Sequence, residues 1–569
     1  MKLQYGAKMR LLSFLLLICV LSFACSSVAI DKNVVSEEEK VEYNANVTVP
    51  DEPDITEDIV DNKVENKVEE VSEAVDEAVD DVVDEPAHAE ESVPKENASK
   101  ENAPKERSRS QSTKIADKTI RKFVKNLEKT TDIPTICVYT ADNTEVVSRE
   151  QYVDCNVYTL NCDEKYKLIG NEAGIRVRGN STAYGGSKAL IRNNQVPYRI
   201  KFVRKTNMFG LNDGAECKSW VLVKAEYDLL KNDIAFRLGR TILHEDNYCS
   251  DGIPVHVYIN GTFKGVYELC EQSQVNKNRI DIPETPKDYT GTDIGYLVEI
   301  DNYGEKPCFS VNYAKALVTD EAGVTKTFKT KFYSVKNDVY SDAQTQYIKK
   351  YVNNVFNVLY EACEKGNYYF LDKNNDLTEA KKKKLKVKNE DGSLKDPAEV
   401  VAESVIDLDS VVDLYLVYEI TKDRDVGEGS FYMYADLSAE STDHRLTFTC
   451  PWDFEWAYEG SYKGLYAGVF NTESFVEVYE ERSNPWFVLL LKQDWFKERV
   501  RKRWEELRYP DPFTKTDQIS QVITEERELL NKYSKDLSRQ GSNACKKAEA
   551  LITWTENRIK WLDGWLMND

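Results

Sequence analysis

Apolar and polar residues along this chain alternate in two different rhythms. From about 134 to 300 the period is two. Thr135-Ile136-Cys137-Val138-Tyr139 predicts a half-buried strand, followed by turn residues Asp142-Asn143. Residues 157–160, 174–178, 197–202 and 220–223 continue the pattern. Two further strands, 255–259 and 263–269, flank Asn260-Gly261, a pair that favours a primed hairpin turn. Residues 295–300 predict one more strand. A helix at 229–243 breaks the run: Leu230, Ile234, Leu238 and Ile242 share one face, with Asp228 placed as N-cap.

Beyond about 338 the period lengthens to that of a helix. Helices are predicted at 343–362, 409–420, 485–507, 517–533 and 543–566, with a strand pair at 430–434 and 445–449 between them. A β-rich half with one helix therefore precedes a helix-rich half with one hairpin. That order predicts an α+β chain with a two-lobed, protein-kinase-like fold. The β-rich N-terminal lobe would occupy 119–274, and a helical C-terminal lobe carrying the catalytic and metal-binding loops 275–569.

The first 118 residues read differently. Lys2, Lys8 and Arg10 precede an apolar stretch at 11–21 that is too short to span a bilayer, which predicts an export signal over 1–30. Two endings fit it. Ser27-Val28-Ala29 suits a small-residue cleavage site, and Ser22-Phe23-Ala24-Cys25-Ser26-Ser27 suits a bacterial lipoprotein junction with Cys25 lipidated. The protein is accordingly expected outside the cytosol, secreted or at the cell surface, touching membrane only through a lipid at Cys25. Residues 31–118 are low in complexity and rich in Glu, Asp, Val, Lys and Ser, predicting a disordered acidic stalk that turns basic at 95–109.

The net charge of −22 argues against general affinity for nucleic acid or anionic membrane, although much of it lies in the stalk. Of 12 Cys, Cys19 and Cys25 lie in the leader. Cys155 and Cys162 are close enough to pair across a turn in an oxidising compartment, and the alternative is buried free thiols. There is no C-x-x-C pair and there are only 4 His, which argues against zinc.

Candidate chemistry gathers in four places. The strand-like 445–450 ends in Pro451-Trp452-Asp453-Phe454-Glu455. An aromatic-fenced carboxylate pair there is one way to hold Mg²⁺ over phosphates, since that ion needs one or two protein carboxylates. The plain alternative is a capped strand end with two surface acids. Upstream, Asp423 and Asp425 follow the apolar helix, one short hairpin before Asp453. One acid can orient an attacking hydroxyl while another holds metal. Arg178-Gly179-Asn180-Ser181, leading to Lys188, offers backbone N–H groups and cations to phosphates, or is a glycine turn. Arg199 and Lys201 share a strand face and could reach phosphates or be solvated. Glu268-Leu269-Cys270-Glu271-Gln272 would form a hinge, with Glu271 facing a nucleotide or ending the strand.

Several ordered motifs carry a family resemblance. They are Arg176-Val177-Arg178-Gly179-Asn180-Ser181-Thr182; Pro197-Tyr198-Arg199-Ile200-Lys201-Phe202; Phe209-Gly210-Leu211; Trp220-Val221-Leu222 with Asp228, Leu230 and Asn232; Tyr258-Ile259-Asn260-Gly261-Thr262-Phe263-Lys264-Gly265-Val266-Tyr267; Gly295-Tyr296-Leu297-Val298-Glu299; Tyr432-Met433-Tyr434; and Pro451-Trp452-Asp453-Phe454. Over roughly 130–569 the chain resembles the spore coat protein H (CotH) kinase-like family of atypical secreted or surface kinases. The resemblance implies a kinase-like fold, ATP, Mg²⁺ or Mn²⁺, and phosphorylation of Ser or Thr on a protein. Carried over by motif, Asp425 is the catalytic acid with Asp423 its rival, and Asp453 is the metal ligand with Glu455 beside it. Arg178, Asn180, Ser181, Lys188, Lys201 and Glu271 are the expected nucleotide contacts. The chain departs from the family in having Glu455 for a second Asp, no Asn in 427–431, and Lys231 for Arg. Those departures leave a second reading, a catalytically degenerate kinase-fold surface module for adhesion or for binding carbohydrate or protein. A glycoside hydrolase would need two carboxylates flanking an open sugar cleft.

Overall fold

The computed structural model describes residues 111–179, 183, 196–224, 230–301, 303–313, 316–319, 325–469, 483–509, 517–540 and 544–567. Helix α1 (Gln111–Leu127) leads into β1 (Thr135–Thr140), β2 (Val153–Leu160), β3 (Ile169–Val177), β4 (Tyr198–Thr206) and β5 (Cys217–Lys224). Helix α2 (Lys231–Ile242) follows, then the hairpin β6 (Gly252–Ile259) and β7 (Thr262–Glu271). Asn260 and Gly261 at its turn have φ of 51° and 77°. Both central positions are left-handed, as a primed turn needs.

These seven strands close into a barrel in the order β1-β2-β3-β4-β5-β7-β6. Closure comes from a parallel pairing of β1 with β6, Thr135 opposite His256. The two-lobed, kinase-like layout expected from the sequence does not include such a barrel. Ile136, Val157, Ile175, Ile200, Phe202, Trp220, Leu222 and Tyr267 fill its interior. Alternation then decides what the outer face meets. Val221, Val223, Val266 and Cys270 point away from the interior and pack with Ile234, Ala235, Leu238 and Ile242 of α2. Strands β5 and β7 are thus buried on both faces, which is why they read as near-continuous apolar runs.

The chain continues through β8 (Gly295–Asp301), β9 (Cys308–Val311), β10 (Leu317–Thr319), β11 (Thr325–Thr327) and β12 (Lys331–Val335). Helix α3 (Asp342–Lys365) and the small hairpin β13 (Tyr369–Leu371) and β14 (Leu377–Glu379) precede α4 (Pro397–Glu403) and α5 (Leu408–Thr421). Then come β15 (Gly429–Asp436), β16 (Thr447–Thr449), α6 (Pro485–Leu491), α7 (Asp494–Arg508), α8 (Gln518–Gln540) and α9 (Ala544–Leu566). The hairpin foreseen among the helices is part of a five-stranded sheet, β16-β15-β8-β12-β9. The helix foreseen at 485–507 is two helices, α6 and α7, parted at Lys492-Gln493. Asn484 caps α6 by accepting from the Trp486 and Phe487 N–H groups, and it donates to the Val426 carbonyl at 2.9 Å. The class is mixed α+β.

Helix α5 runs through the middle of this second part, buried on every side from Ser410 to Thr421. A largely apolar helix buried all round belongs in a core, and its two buried acids, Asp413 and Glu419, are paired there with Arg503 and Arg558. Asp407 caps its start, and Lys422 ends it in the left-handed conformation at φ 50°. That turn aims the next residues, Asp423 to Ser430, at the barrel. No described helix is long and apolar enough to cross a membrane. All ten described cysteines are free thiols. Cys155 and Cys162 are therefore not joined: Cys155 packs with the barrel interior, while Cys162 lies on the turn after β2 and contacts Thr159 Oγ1.

Candidate functional site

A cavity of about 690 Å³ lies where the outer face of the barrel meets the five-stranded sheet and the loops after α5 and β16. Its two walls carry opposite net charge, with Glu150 among the arginines and Lys336 among the acids. The barrel supplies Arg149, Arg176, Arg178 and Arg199. The sheet and loops supply Glu299, Asp301, Glu305, Asp425, Glu428, Asp453 and Glu455.

The arginine wall follows from strand alternation. Ile175 and Val177 face the barrel interior, so Arg176 and Arg178 face out. On β4, Tyr198 and Ile200 point in and Arg199 points out, directly opposite Arg176 in the β3–β4 pair. Like charges opposed across a strand pair repel, and an anion between them relieves that repulsion. Arg178 stands 5.6 Å from the Trp452 ring centroid, and Trp452 stacks on Phe236 of α2 at 5.5 Å.

The acidic wall begins on β8, where Glu299 and Asp301 share a face. Glu299 pairs with Lys336 at 2.7 Å, and Asp301 accepts from the Ser334 hydroxyl at 2.6 Å. Across the sheet Tyr432 lies opposite Glu299. Glu428 holds the buried Lys331 at 2.7 Å.

Between the walls lie the two loops. Asp453 sits in the left-handed region at φ 65° and accepts from the Ser430 hydroxyl at 3.3 Å. Its carboxylate opens onto the cavity, yet the surrounding walls exclude enough water to raise its pKa, against the pull of Arg178 and Ser430. Asp423 is buried beneath and accepts the Asp425 N–H at 3.2 Å. Burial pushes its carboxyl well above the usual range, and the charges of Asp425 and Asp453 push it further. Asp425 itself lines the cavity.

Helix α2 ties the loops together from below. Lys231 donates to the Glu455 carbonyl at 2.7 Å and pairs with Glu459 at 3.5 Å. Asn232 accepts the Phe454 N–H at 3.2 Å. Tyr458 donates its hydroxyl to the Lys231 carbonyl at 3.3 Å and its N–H to the Thr421 carbonyl at 2.7 Å.

Of the residues singled out in the sequence, Arg178, Asp425, Asp453 and Glu455 line one cavity, with Asp423 directly beneath. Asn180, Ser181, Lys188 and the N-cap Asp228 lie outside the described residues. Lys201 is not in the lining; its ammonium is 6.0 Å from the Tyr152 ring centroid. Glu271 is not in the lining either. It is buried against Arg279 at 3.0 Å and accepts from Asn212 at 3.1 Å, while its neighbour Gln272 reaches the cavity. The sequence reading left Arg149, Asp301, Glu305 and Lys336 unassigned. Arg176 and Glu299 stood inside quoted motifs without a role, and alternation on β3 was the signal that could have assigned Arg176.

Residues 175–562 match the family model described as CotH kinase protein, and the chain belongs to that family. It is an atypical kinase-like protein. Among curated proteins none matches the chain.

The family points to nucleotide and metal, and the donor chemistry can be tested against that. Among the described residues no three His, Cys, Asp or Glu side chains converge on a ready-made metal cage. A cation that brings phosphate oxygens and water with it needs only one or two carboxylates. The cavity-lining Asp425, Asp453 and Glu455, facing an arginine wall, can supply those one or two carboxylates.

Proposed function

We propose that the cavity binds ATP and transfers its γ-phosphate to a Ser or Thr hydroxyl of a protein. The observation that carries this reading is the cavity's polarity: guanidinium groups from the barrel facing carboxylates from two loops. The arginines, Arg176, Arg178 and Arg199, suit the phosphate chain. Asp453, with Glu455 beside it, would hold Mg²⁺ or Mn²⁺. A cation bound there neutralises charge on the β- and γ-phosphates. Asp425, which lines the cavity, would take the proton of the acceptor hydroxyl as that oxygen attacks the γ-phosphorus. The bond from the γ-phosphorus to the β–γ bridging oxygen breaks, and ADP leaves. The barrel and the helical part act in this reading as the two lobes of a kinase, with the nucleotide between them. Export of the protein, secreted or lipidated at Cys25, is part of the same proposal and rests on the leader sequence alone.

Nucleotide binding is the first test. Thermal unfolding is followed with ATP alone, with Mg²⁺ or Mn²⁺ alone, and with both. A ligand that binds the folded state at a hundred times its Kd stabilises by about 2.7 kcal/mol. The proposal expects a Tm rise with ATP and metal together that Arg178→Ala reduces. No rise with either metal counts against it.

A further inference from the structure

The segment 381–395 joins the β13–β14 hairpin to α4, and its sequence is Lys-Lys-Lys-Lys-Leu-Lys-Val-Lys-Asn-Glu-Asp-Gly-Ser-Leu-Lys. Six of the residues from Lys381 to Lys388 are lysine. All six are exposed. The first four curl through a turn closed by the Lys384 N–H on the Lys381 carbonyl at 2.8 Å. Leu385 is half-buried against the main core and pins that turn, and Lys384 rests over the Phe370 ring at 5.3 Å. The chain then folds back as a short hairpin: Lys388 bridges Leu394, and the Lys395 N–H reaches the Val387 carbonyl at 2.9 Å.

Two features set this patch apart from a solvated charge run. The lysines are not spent on neighbouring acids. Lys395 pairs with Glu403, but Lys381, Lys382, Lys383, Lys386 and Lys388 have no ion pair among the described residues. Glu390 and Asp391 are the acids within 381–395, and the adjoining hairpin adds Asp372, Asp376 and Glu379; Asp391 accepts from the Ser393 hydroxyl at 2.6 Å and Asp376 pairs with Lys350. The second feature is apolar. Val387 and Leu394, 38% and 60% exposed, stand on the paired arms of the hairpin among the lysines. Large aliphatic side chains held in water beside unpaired ammonium groups complement a surface with anionic headgroups over hydrocarbon.

We propose that 381–395 docks this protein on an anionic lipid bilayer, with the lysines on phosphate headgroups and Val387 and Leu394 dipping between them. The net charge of −22 does not forbid this. Exposed charges beyond a Debye length of about 8 Å are largely screened at physiological salt, so the patch acts locally. Each lysine near such a surface contributes about 1 kcal/mol, or about a fivefold change in affinity. The proposal is independent of phosphoryl transfer.

The test is sedimentation of the full chain with vesicles of phosphatidylcholine alone and of phosphatidylcholine mixed with phosphatidylglycerol, at low and high salt. The leader is present in every arm, so the increment due to anionic lipid is the readout. The unaltered chain is expected to show that increment and to lose most of it at high salt. Replacing Lys381, Lys382, Lys383 and Lys386 together by Ser is expected to weaken anionic binding about fivefold per lysine. Val387→Ser with Leu394→Ser is expected to weaken binding at both salt levels. Thermal unfolding checks that these surface variants keep their fold. No increment from anionic lipid overturns the proposal, as does an increment that survives the four lysine substitutions. If inorganic polyphosphate binds the patch as tightly as vesicles do and the apolar pair is without effect, the surface recognises a soluble polyanion, and the membrane reading falls.

Discussion

Lys231 buries its ammonium against the Glu455 carbonyl oxygen, 2.7 Å away. Together with Asn232 on the Phe454 N–H and the Tyr458 hydroxyl on the Lys231 carbonyl, this bond fixes the loop bearing Asp453 to the first turn of α2, and α2 is packed on the outer face of the barrel. The charge of Lys231 also reaches the buried Asp423 and favours its ionised form. A hydrogen bond from a charged donor is worth about 1.5–3 kcal/mol. Lys231→Ala should therefore lower unfolding stability in urea by about 1–3 kcal/mol and reduce phosphoryl transfer more than nucleotide binding. Lys231→Arg should retain most of both. A Lys231→Ala protein with unchanged turnover would show that the loop does not depend on this tie.

Arg178 lines the same cavity as Asp453, lies over the Trp452 ring, and belongs to the arginine wall. Its replacement by Ala should weaken ATP binding about tenfold to a hundredfold, from the loss of one charge-assisted contact. Isothermal titration at two salt concentrations checks this. The salt dependence of binding should also become shallower, because one cation fewer faces the phosphates.

Glu271 was a nucleotide candidate from its place at the end of the hairpin, and the structure gives it a different setting. Its carboxylate is enclosed with Arg279, Asn212 and the Asp251 N–H. Arg279 in turn donates to the Ser219 carbonyl at 2.8 Å. Breaking a buried ion pair from one side costs about 3–5 kcal/mol. Glu271→Ala should lose that much stability by chemical denaturation. Nucleotide affinity of the folded fraction should stay unchanged, and a large specific loss would restore Glu271 to the binding site.

Some of this could be read from residue order alone. The Asn260-Gly261 turn, the buried face of α2, the alternation of Tyr198, Ile200 and Phe202, and the loops at Asp425 and Asp453 all follow local rules. What escaped is non-local. Barrel closure rests on β1 meeting β6 in parallel, and β8 meets β15 across more than a hundred residues. Neither pairing leaves a periodic trace. The acidic wall on β8 escaped for the same reason, because Glu299 and Asp301 become a wall only once the two parts face each other. The break between α6 and α7 occurs inside an otherwise helical pattern without Gly or Pro to mark it.

A second buried cluster predicts a pH dependence. Asp233 on α2 and Glu526 on α8 are buried together, with Arg237 Nε 3.2 Å and 2.8 Å from them, and neither Glu526 carboxylate oxygen has a hydrogen-bond partner among the described residues. Glu268 on β7 is buried alongside, with no hydrogen-bond partner among the described residues. Arg240 on α2 and Glu525 on α8 complete the charged surroundings. Burial, reinforced by the Asp233 charge, raises Glu526 and Glu268 well above their ordinary 4.5. The folded state then keeps protons that the unfolded chain releases. Their contribution to stability is full below 4.5 and is lost as pH rises through the raised folded values. Glu526→Gln should flatten that fall and raise Tm at pH 8 by about 1–4 °C. An unchanged Tm profile across pH would mean that Glu526 holds no extra proton in the folded state.

The central claim is that Asp425 and Asp453 act on opposite sides of one phosphoryl transfer. The most direct measurement incubates the full chain with γ-labelled ATP and Mg²⁺ or Mn²⁺, beside Asp425→Ala and Asp453→Ala, and follows label onto protein Ser or Thr. General acid–base groups contribute about 10²–10⁴-fold. The account predicts transfer by the unaltered chain and at least a hundredfold loss in each variant, with folded structure retained. Transfer at equal rates by the variants, or neither nucleotide binding nor transfer with either metal, would contradict it.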